Sequence, residues 1–330
     1  VKFENLEHDC YLVTGCAGFI AAKVAEFLLD SGKQVVGVDN MNDYYDVSVK
    51  QHRLAQLEGR PGFSFTQMDL EDRPATRAVF DSATIDCVIN LAARAGVRYS
   101  MENPFVYMTT NAMGGLNLLD EMQKRSIKKF VLASTSSLYA GQSMPFREDL
   151  PVNTPLSPYA ASKKAAEVMA YSYHHLYQTD VSIVRYFTVY GPAGRPDMSV
   201  FRFIKWIDEG TPIIVYGDGT QSRDFTYVDD IAAGTILATK SLGYEIINLG
   251  GGNQPVELNY VIGLIEQHLG KKAVVDQRDF HAADMMATWA DIDKAQQLLD
   301  WRPKVSVEDG IAKSVQWYRD HKTWLATVNV

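Results

Sequence analysis

"CYLVTGCAGFIAAK", residues 10–23, decides the fold. An apolar run ending in threonine meets Gly15-x-x-Gly18-x-x-Ala21, and an amphipathic stretch follows to Asp30. Glycines at those places permit a tight turn and let a pyrophosphate approach the backbone. The helix opening behind them offers unpaired N–H groups and the positive end of its dipole. Glycine-rich turns after strands are common, so the pattern takes its weight from what surrounds it. The next apolar run, "QVVGVD" (34–39), ends on Asp39. A carboxylate there suits a ribose 2′-hydroxyl and repels a 2′-phosphate, which points to NAD rather than NADP. A tight turn and a helix-capping aspartate are the bland alternative.

Outward from this unit the same rhythm repeats. "FSFTQMD" (63–69), "DCVINLA" (86–92), "FVLAS" (130–134) and "VSIVRY" (181–186) are continuously apolar, as strands covered on both faces are. Amphipathic stretches such as Ala21–Asp30 and Gly114–Arg125 lie between them. Repeated βαβ units predict an α/β protein with a doubly wound parallel sheet of the Rossmann kind. After Tyr186 the character changes: "YGPAGRPDMS" is loop, and "YGDGTQ" carries an Asp-Gly turn. "TYVD" (226–229) resembles a capping box opening a helix through Thr239, and "YEIINLGGG" (244–252) reads as another sheet strand. The expected division is residues 1–186 plus about 226–250 for the dinucleotide domain. About 187–225 and 251–330 then form a smaller, discontinuous α/β substrate-binding lobe.

Composition narrows the partners. The chain has 330 residues, 46% hydrophobic and 22% charged, ordinary for a globular protein of two lobes. Its 32 basic against 40 acidic residues give a formal charge of −8. That argues against nucleic acid or an anionic membrane as the main partner. Cys10, Cys16 and Cys87 form no CxxC and leave one unpaired in any disulfide scheme, so they read as reduced and buried. The seven histidines form no HExxH and suggest no metal. There is no 18-residue apolar run and no signal-like start. A cytoplasmic location is expected, with room left for an upstream anchor because the chain begins at Val1.

"SPYAASKK" (157–164) places Tyr159 and Lys163 at i and i+4, neighbours on a helix with about 5–6 Å between Cβ atoms. A lysine cation about 5 Å away, at an effective dielectric of about 20, favours phenolate by roughly 3 kcal/mol. That is about two pKa units, and an oxidised nicotinamide adds to it. A lone YxxxK arises often by chance; this one follows the glycine loop, with the hydroxyls of "ASTSSLYA" (133–140) between. Together these features resemble the extended short-chain dehydrogenase/reductases over essentially the whole chain. Within that family "DNMNDYYDVSVK" (39–50), "LAARAGVRYS" (91–100), "RYFTVYGPAGRPDM" (185–198) and "SRDFTYVDD" (222–230) are similar to the UDP-glucuronic acid 4-epimerases.

The resemblance implies NAD held by Gly15, Gly18, Phe19, Ile20, Asp39, Asn40, Asp69, Leu70, Leu91, Ala92, Ala93, Asn111, Tyr159 and Lys163. For Asn111 a buried structural amide is an equal reading. It implies Tyr159 as base, with Lys163 and Thr135 beside it, oxidising C4 of a UDP-sugar that then turns over and is reduced on its other face. Thr135, Ser136, Ser137, Thr188 and Arg195 would surround the C6 carboxylate. Arg223 and Arg278 would meet the diphosphate, a bidentate task suited to arginine. A surface ion pair with Asp224 is the alternative for Arg223. Oxidation at C4 makes a β-keto acid, so an epimerase must pin the carboxylate in the plane of the ketone. Related decarboxylases resemble "TSE" and 4,6-dehydratases "TDE" where this chain has Thr135-Ser136-Ser137, which favours epimerisation. A UDP-glucose 4-epimerase, a UDP-glucuronic acid decarboxylase and a silent NAD-binding sensor or scaffold remain the alternatives. Three departures stand out: Ala22 where serine is usual, "LYA" for "VYG", and Ala283-Asp284 for Gly-Asp. A homodimer through helices near 103–124 and 159–178 is implied as well.

Overall fold

The computed structural model describes residues 1–252, 255–280 and 285–330, so the Ala283-Asp284 departure lies outside the described residues. The apolar runs pair as strands because backbone polar groups leaving water must be hydrogen-bonded. In chain order the larger body contains β1 (Cys10–Thr14), α1 (Phe19–Asp30), β2 (Gln34–Asp39), α2 (Val47–Ala55), β3 (Phe63–Gln67), α3 (Arg73–Ser82) and β4 (Cys87–Asn90). It continues through α4 (Val97–Glu102), α5 (Pro104–Tyr107), a π turn (Met108–Met113), α6 (Gly114–Lys124), β5 (Lys129–Thr135), α7 (Pro158–Tyr177) and β6 (Asp180–Tyr186). Then follow β7 (Thr188–Tyr190), α8 (Ser199–Glu209), β8 (Ile213–Tyr216), β9 (Ser222–Arg223), β10 (Phe225–Tyr227), α9 (Val228–Leu237) and β11 (Tyr244–Leu249). The chain closes with β12 (Val256–Glu257), α10 (Leu258–Leu269), β13 (Val275–Arg278), α11 (Asp293–Leu299), α12 (Val307–Asp320) and α13 (Lys322–Leu325).

Seven strands form one parallel sheet in the order β11-β6-β5-β4-β1-β2-β3. The order reverses between β1 and β4, and the crevice beyond their carboxyl ends is where open α/β sheets bind ligands. Alternation along β1 feeds opposite faces: Tyr11 and Val13 pack with Leu28 and Ile247, Leu12 with Val36, Leu118 and Phe130. A separate core of Phe201, Ile204, Ile213, Val261, Ile265, Ile311 and Val315 holds the smaller lobe. Ala295, Leu299 and Trp301 leave that lobe and join the core under the sheet.

Two local expectations fail for tertiary reasons. β3 has one neighbour, β2, and exposes Ser64 and Thr66 while Phe63 and Phe65 are half-buried, so it is a one-sided edge strand. Thr226 caps nothing: it pairs with Val189 in the β7–β10 ribbon, and α9 starts from Tyr227 without a side-chain cap. No helix among the described residues is long and apolar enough to cross a membrane.

Candidate active site

The cradle is built from the turn upward. Gly15 has φ +67°, and a Cβ there would lie 2.9 Å from the Ala92 Cα, so conformation and space both demand glycine. Gly18 precedes α1 and donates its N–H to the Gly15 carbonyl at 2.7 Å; a Cβ there would meet that oxygen at 2.8 Å. Thr14 donates its hydroxyl to Asn90 Oδ1 at 2.7 Å and accepts the N–H groups of Leu91 and Ala92 at 3.1 and 3.0 Å. The loop after β4 is thereby locked beside the turn. The Asp39 carboxylate accepts from the Ala17 and Met41 amides at 3.2 and 2.8 Å and faces the Lys50 ammonium at 3.9 Å. Asn40 donates to Asp69 at 2.8 Å. A cradle that any Cβ would fill, at a helix N-terminus and beside a buried carboxylate, fits a dinucleotide.

One cleft collects Gly15, Gly18, Phe19, Ile20, Asp39, Asn40, Asp69, Leu70, Leu91, Ala92, Ala93, Thr135, Tyr159, Lys163 and Arg195. Its charged lining is Lys50, Arg94, Lys163 and Arg195 against Asp39 and Asp69, four cations to two carboxylates. That excess runs against the acidic chain as a whole and suits an anionic ligand.

α7 begins at Ser157, whose hydroxyl accepts the Ala160 N–H at 3.2 Å, with Pro158 in the first turn. Tyr159 therefore enters the cleft at the helix start, its ring edge-on to Tyr107 at 6.0 Å. Burial raises the Tyr159 hydroxyl pKa; the hydrogen bond with Thr135 and the charge of Arg195 lower it, and Tyr44 adds to the rise. Lys163 reaches away: its ammonium donates to the Ala133 carbonyl at 3.0 Å. Burial brings Lys163 down to about 8, with Glu167 pulling the other way. The charge that works against the rise at Tyr159 is that of Arg195, second to the Thr135 hydrogen bond.

Arg195 rides the Gly/Pro loop, gripped by Asp197 at 3.0 and 2.5 Å. Arg53, 4% exposed, holds that loop to the cradle through the carbonyls of Ala193, Gly194 and Ala17 at 2.9, 3.0 and 3.2 Å. Its fourth contact is the Tyr45 hydroxyl at 2.8 Å. Ser136 and Ser137 form the turn after β5, where Ser137 donates its N–H to the Thr135 hydroxyl at 3.1 Å. Thr188 is half-buried in β7, outside the cleft lining. Asn111 does not reach the cleft: its amide is used by the Arg94 backbone at 2.8 and 3.0 Å and by Ser162 at 2.9 Å. The buried-amide reading describes it.

Arg223 lies in β9 and donates to the Ser222 carbonyl at 2.9 Å. Asp224 is no surface partner for it, being 3% exposed and accepting the amides of Gly251, Gly252 and Ala290. Arg278 belongs to a second cavity with Asp218, Gln221, Phe280 and Met286, and pairs with Asp276 at 2.8 Å. The buried Gln221 Oε1 in that cavity has no partner among the described residues. Sequence reasoning missed Tyr44, Tyr45, Lys50, Arg53 and Arg94. The first three lie inside "DNMNDYYDVSVK", yet nothing local distinguishes them from a solvated loop and helix.

Residues 12–314 match the profile of the family described as GDP-mannose 4,6 dehydratase. The UDP-glucuronate 4-epimerase of Thermodesulfobacterium geofontis is 58% identical over 320 residues, 97% of this chain and 99% of that protein. A crystal structure of UDP-glucuronic acid 4-epimerase from Bacillus cereus with UDP-glucuronic acid and NAD superposes at a TM-score of 0.88. It is 37% identical and is aligned over 94% of this chain and 99% of that one. The UDP-glucose 4-epimerase of Thermotoga maritima with UDP-glucose gives 0.85 at 29% identity, over 95% and 99%.

Proposed function

The chain belongs to the GDP-mannose 4,6 dehydratase family, and we propose that it is an NAD-dependent epimerase converting UDP-glucuronic acid to UDP-galacturonic acid. The observation that carries this is the convergence of Tyr159, Thr135 and Arg195 in the cleft of the glycine cradle. Tyr159 takes the proton of the sugar 4-hydroxyl while Thr135 hydrogen-bonds the same oxygen. Bound NAD would supply the acceptor for hydride from C4 and its return once the 4-keto sugar has turned over. Gly15 and Gly18 would hold its pyrophosphate, Asp39 its adenosine ribose and Lys163 the ribose nearer the reaction. Arg195 would receive the C6 carboxylate, with Ser136 and Ser137 on the turn beside Thr135; Thr188, outside the cleft lining, is not carried into this role. Arg223 and Arg278 take the diphosphate side, where β9 and the second cavity adjoin.

On this reading residues 1–186 and about 226–250 serve the cofactor, and 187–225 with 251–330 the nucleotide sugar, except that α11 returns to the sheet core. α5, the π turn and α7 present Phe105, Met108, Met113, Val168 and Tyr171, of which Phe105 is 81% exposed. These apolar side chains support a homodimer, testable by sedimentation at micromolar protein. Three buried, unpaired cysteines support a cytoplasmic setting.

Proton NMR of the protein with NAD and UDP-glucuronic acid, beside UDP-glucose, tests the assignment. UDP-galacturonic acid as main product is expected. A pentose product would make the enzyme a decarboxylase, and turnover of UDP-glucose alone would overturn the C6 pocket.

A further inference from the structure

Arginine carries five N–H donors in a rigid plane, with two edges that each fit a carboxylate. In this protein Nε and Nη2 of Arg195 form one edge, and Asp197 occupies it at 3.0 and 2.5 Å. The other edge, between Nη1 and Nη2, makes no hydrogen bond among the described residues. Arg195 lines the cleft and Asp197 does not, so the carboxylate braces the guanidinium from behind. Tyr44 and Tyr45 confine it further, their ring centres 5.5 and 5.8 Å from the guanidinium carbon. Pro196 between the paired residues stiffens the two-residue link.

Resting on the epimerase reading above, we propose that Asp197 is a positioning residue that aims the second edge of Arg195 at the substrate carboxylate. By fixing that edge it decides whether the oxidised sugar keeps its carboxylate. Loss requires the C5–C6 bond to swing out of the ketone plane and break. Its electron pair then passes into the C4 carbonyl as an enolate, carbon dioxide departs, and C5 takes a proton from water. A guanidinium fixed on two sides resists that swing; one fixed only by its own chain does not. Asp197 touches no reacting atom and acts through Arg195.

The test uses the holoenzyme with UDP-glucuronic acid, comparing native protein with Asp197→Ala and Asp197→Glu. Products are quantified by proton NMR and KM and kcat are measured separately. For Asp197→Ala, KM is expected to rise roughly tenfold, as for one lost charge-assisted hydrogen bond. The ratio of decarboxylated sugar, UDP-4-keto-pentose or the UDP-pentose formed when the hydride returns to C4, to UDP-galacturonic acid should rise several-fold, with dinucleotide affinity unchanged. Asp197→Glu should recover part of the native ratio. An Asp197→Ala enzyme with the native product ratio, whether active or merely slower and less stable, would overturn the proposal. Native enzyme that fails to turn over the acid sugar would instead overturn the reading beneath it.

Discussion

Glu167 and Arg185 are each 1% exposed, and together they clamp β5 to β6 and α7 beneath the cleft. Arg185 donates Nε and Nη2 to the two Glu167 oxygens at 2.9 and 2.8 Å and Nη1 to the Tyr139 hydroxyl at 2.8 Å. Ser134, next to Thr135, donates to the same carboxylate at 2.7 Å. Burial works to discharge the guanidinium, but the hydrogen bonds and charge of Glu167 hold its pKa above the ordinary arginine value. Glu167→Leu therefore strands a full positive charge with one neutral partner. Breaking such a buried pair costs about 3–5 kcal/mol, and the orphaned Ser134 hydroxyl adds about 1 kcal/mol. Against a total of about 5–15 kcal/mol this is a large fraction. Replacing both members, Glu167→Leu with Arg185→Met, removes both desolvation penalties and should recover more than about 2 kcal/mol relative to the sum of the single changes. Urea unfolding of the four proteins measures the cycle. Single costs below about 1 kcal/mol, or costs that simply add, would refute the account of this pair.

Lys163→Met should be inactive yet about 1–2 kcal/mol more stable than the native protein at pH 7, because a buried ammonium is removed. The folded pKa of about 8 lies below the unfolded value, so this group's contribution to stability rises with pH above about 8. Urea midpoints should therefore converge near the unfolded lysine pKa, about 10.4, and a gap independent of pH would contradict the assignment. Tyr159→Phe should lower kcat by at least about a hundredfold, the worth of a positioned general base. Dinucleotide affinity, set by the cradle, should stay nearly native in a fluorescence titration; normal turnover would defeat the mechanism.

What was legible in the sequence is what is local. The glycine turn, Asp39 at the strand end, and the Tyr–Lys spacing each depend on a dozen residues or fewer, and all of these residues line the cleft, though the Lys163 ammonium turns to the Ala133 carbonyl. The central sheet strands were legible because burial on both faces leaves an unbroken apolar run, and β3 misled because an edge strand needs only one such face. "TYVD" satisfied the capping spacing, but strand pairing with β7 claimed Thr226 first, a long-range contact with no local signature. Arg53 was invisible for the opposite reason. An arginine near the end of an amphipathic helix reads as solvated, yet this one is buried by four acceptors on three separate segments. Asn111 sits in the π turn, whose altered phase aims its amide at the Arg94 backbone; no spacing rule announces that turn.

The Tyr–Lys pair marks where spacing stops being chemistry. Helical neighbours share a face at their Cβ atoms, but a four-carbon stem carries the lysine charge elsewhere, here to the Ala133 carbonyl. The cation whose charge works against the burial of Tyr159 is Arg195, which is also the residue proposed for the substrate carboxylate. On the proposed reading one guanidinium would serve both recognition and the base, so its loss should be felt in both. In Arg195→Met the acid limb of the pH profile of kcat/KM, which reports free enzyme, should move to higher pH by roughly one to three units. The height of the profile should fall independently, because carboxylate binding is lost. The sign follows from the physics: a lost cation disfavours phenolate, so more alkaline solution is needed to form it. Rates from pH 6 to 10 at subsaturating substrate measure the limb. A profile that drops in height without moving would leave Arg195 a substrate ligand only and return the task of acidifying Tyr159 to the bound cofactor's charge.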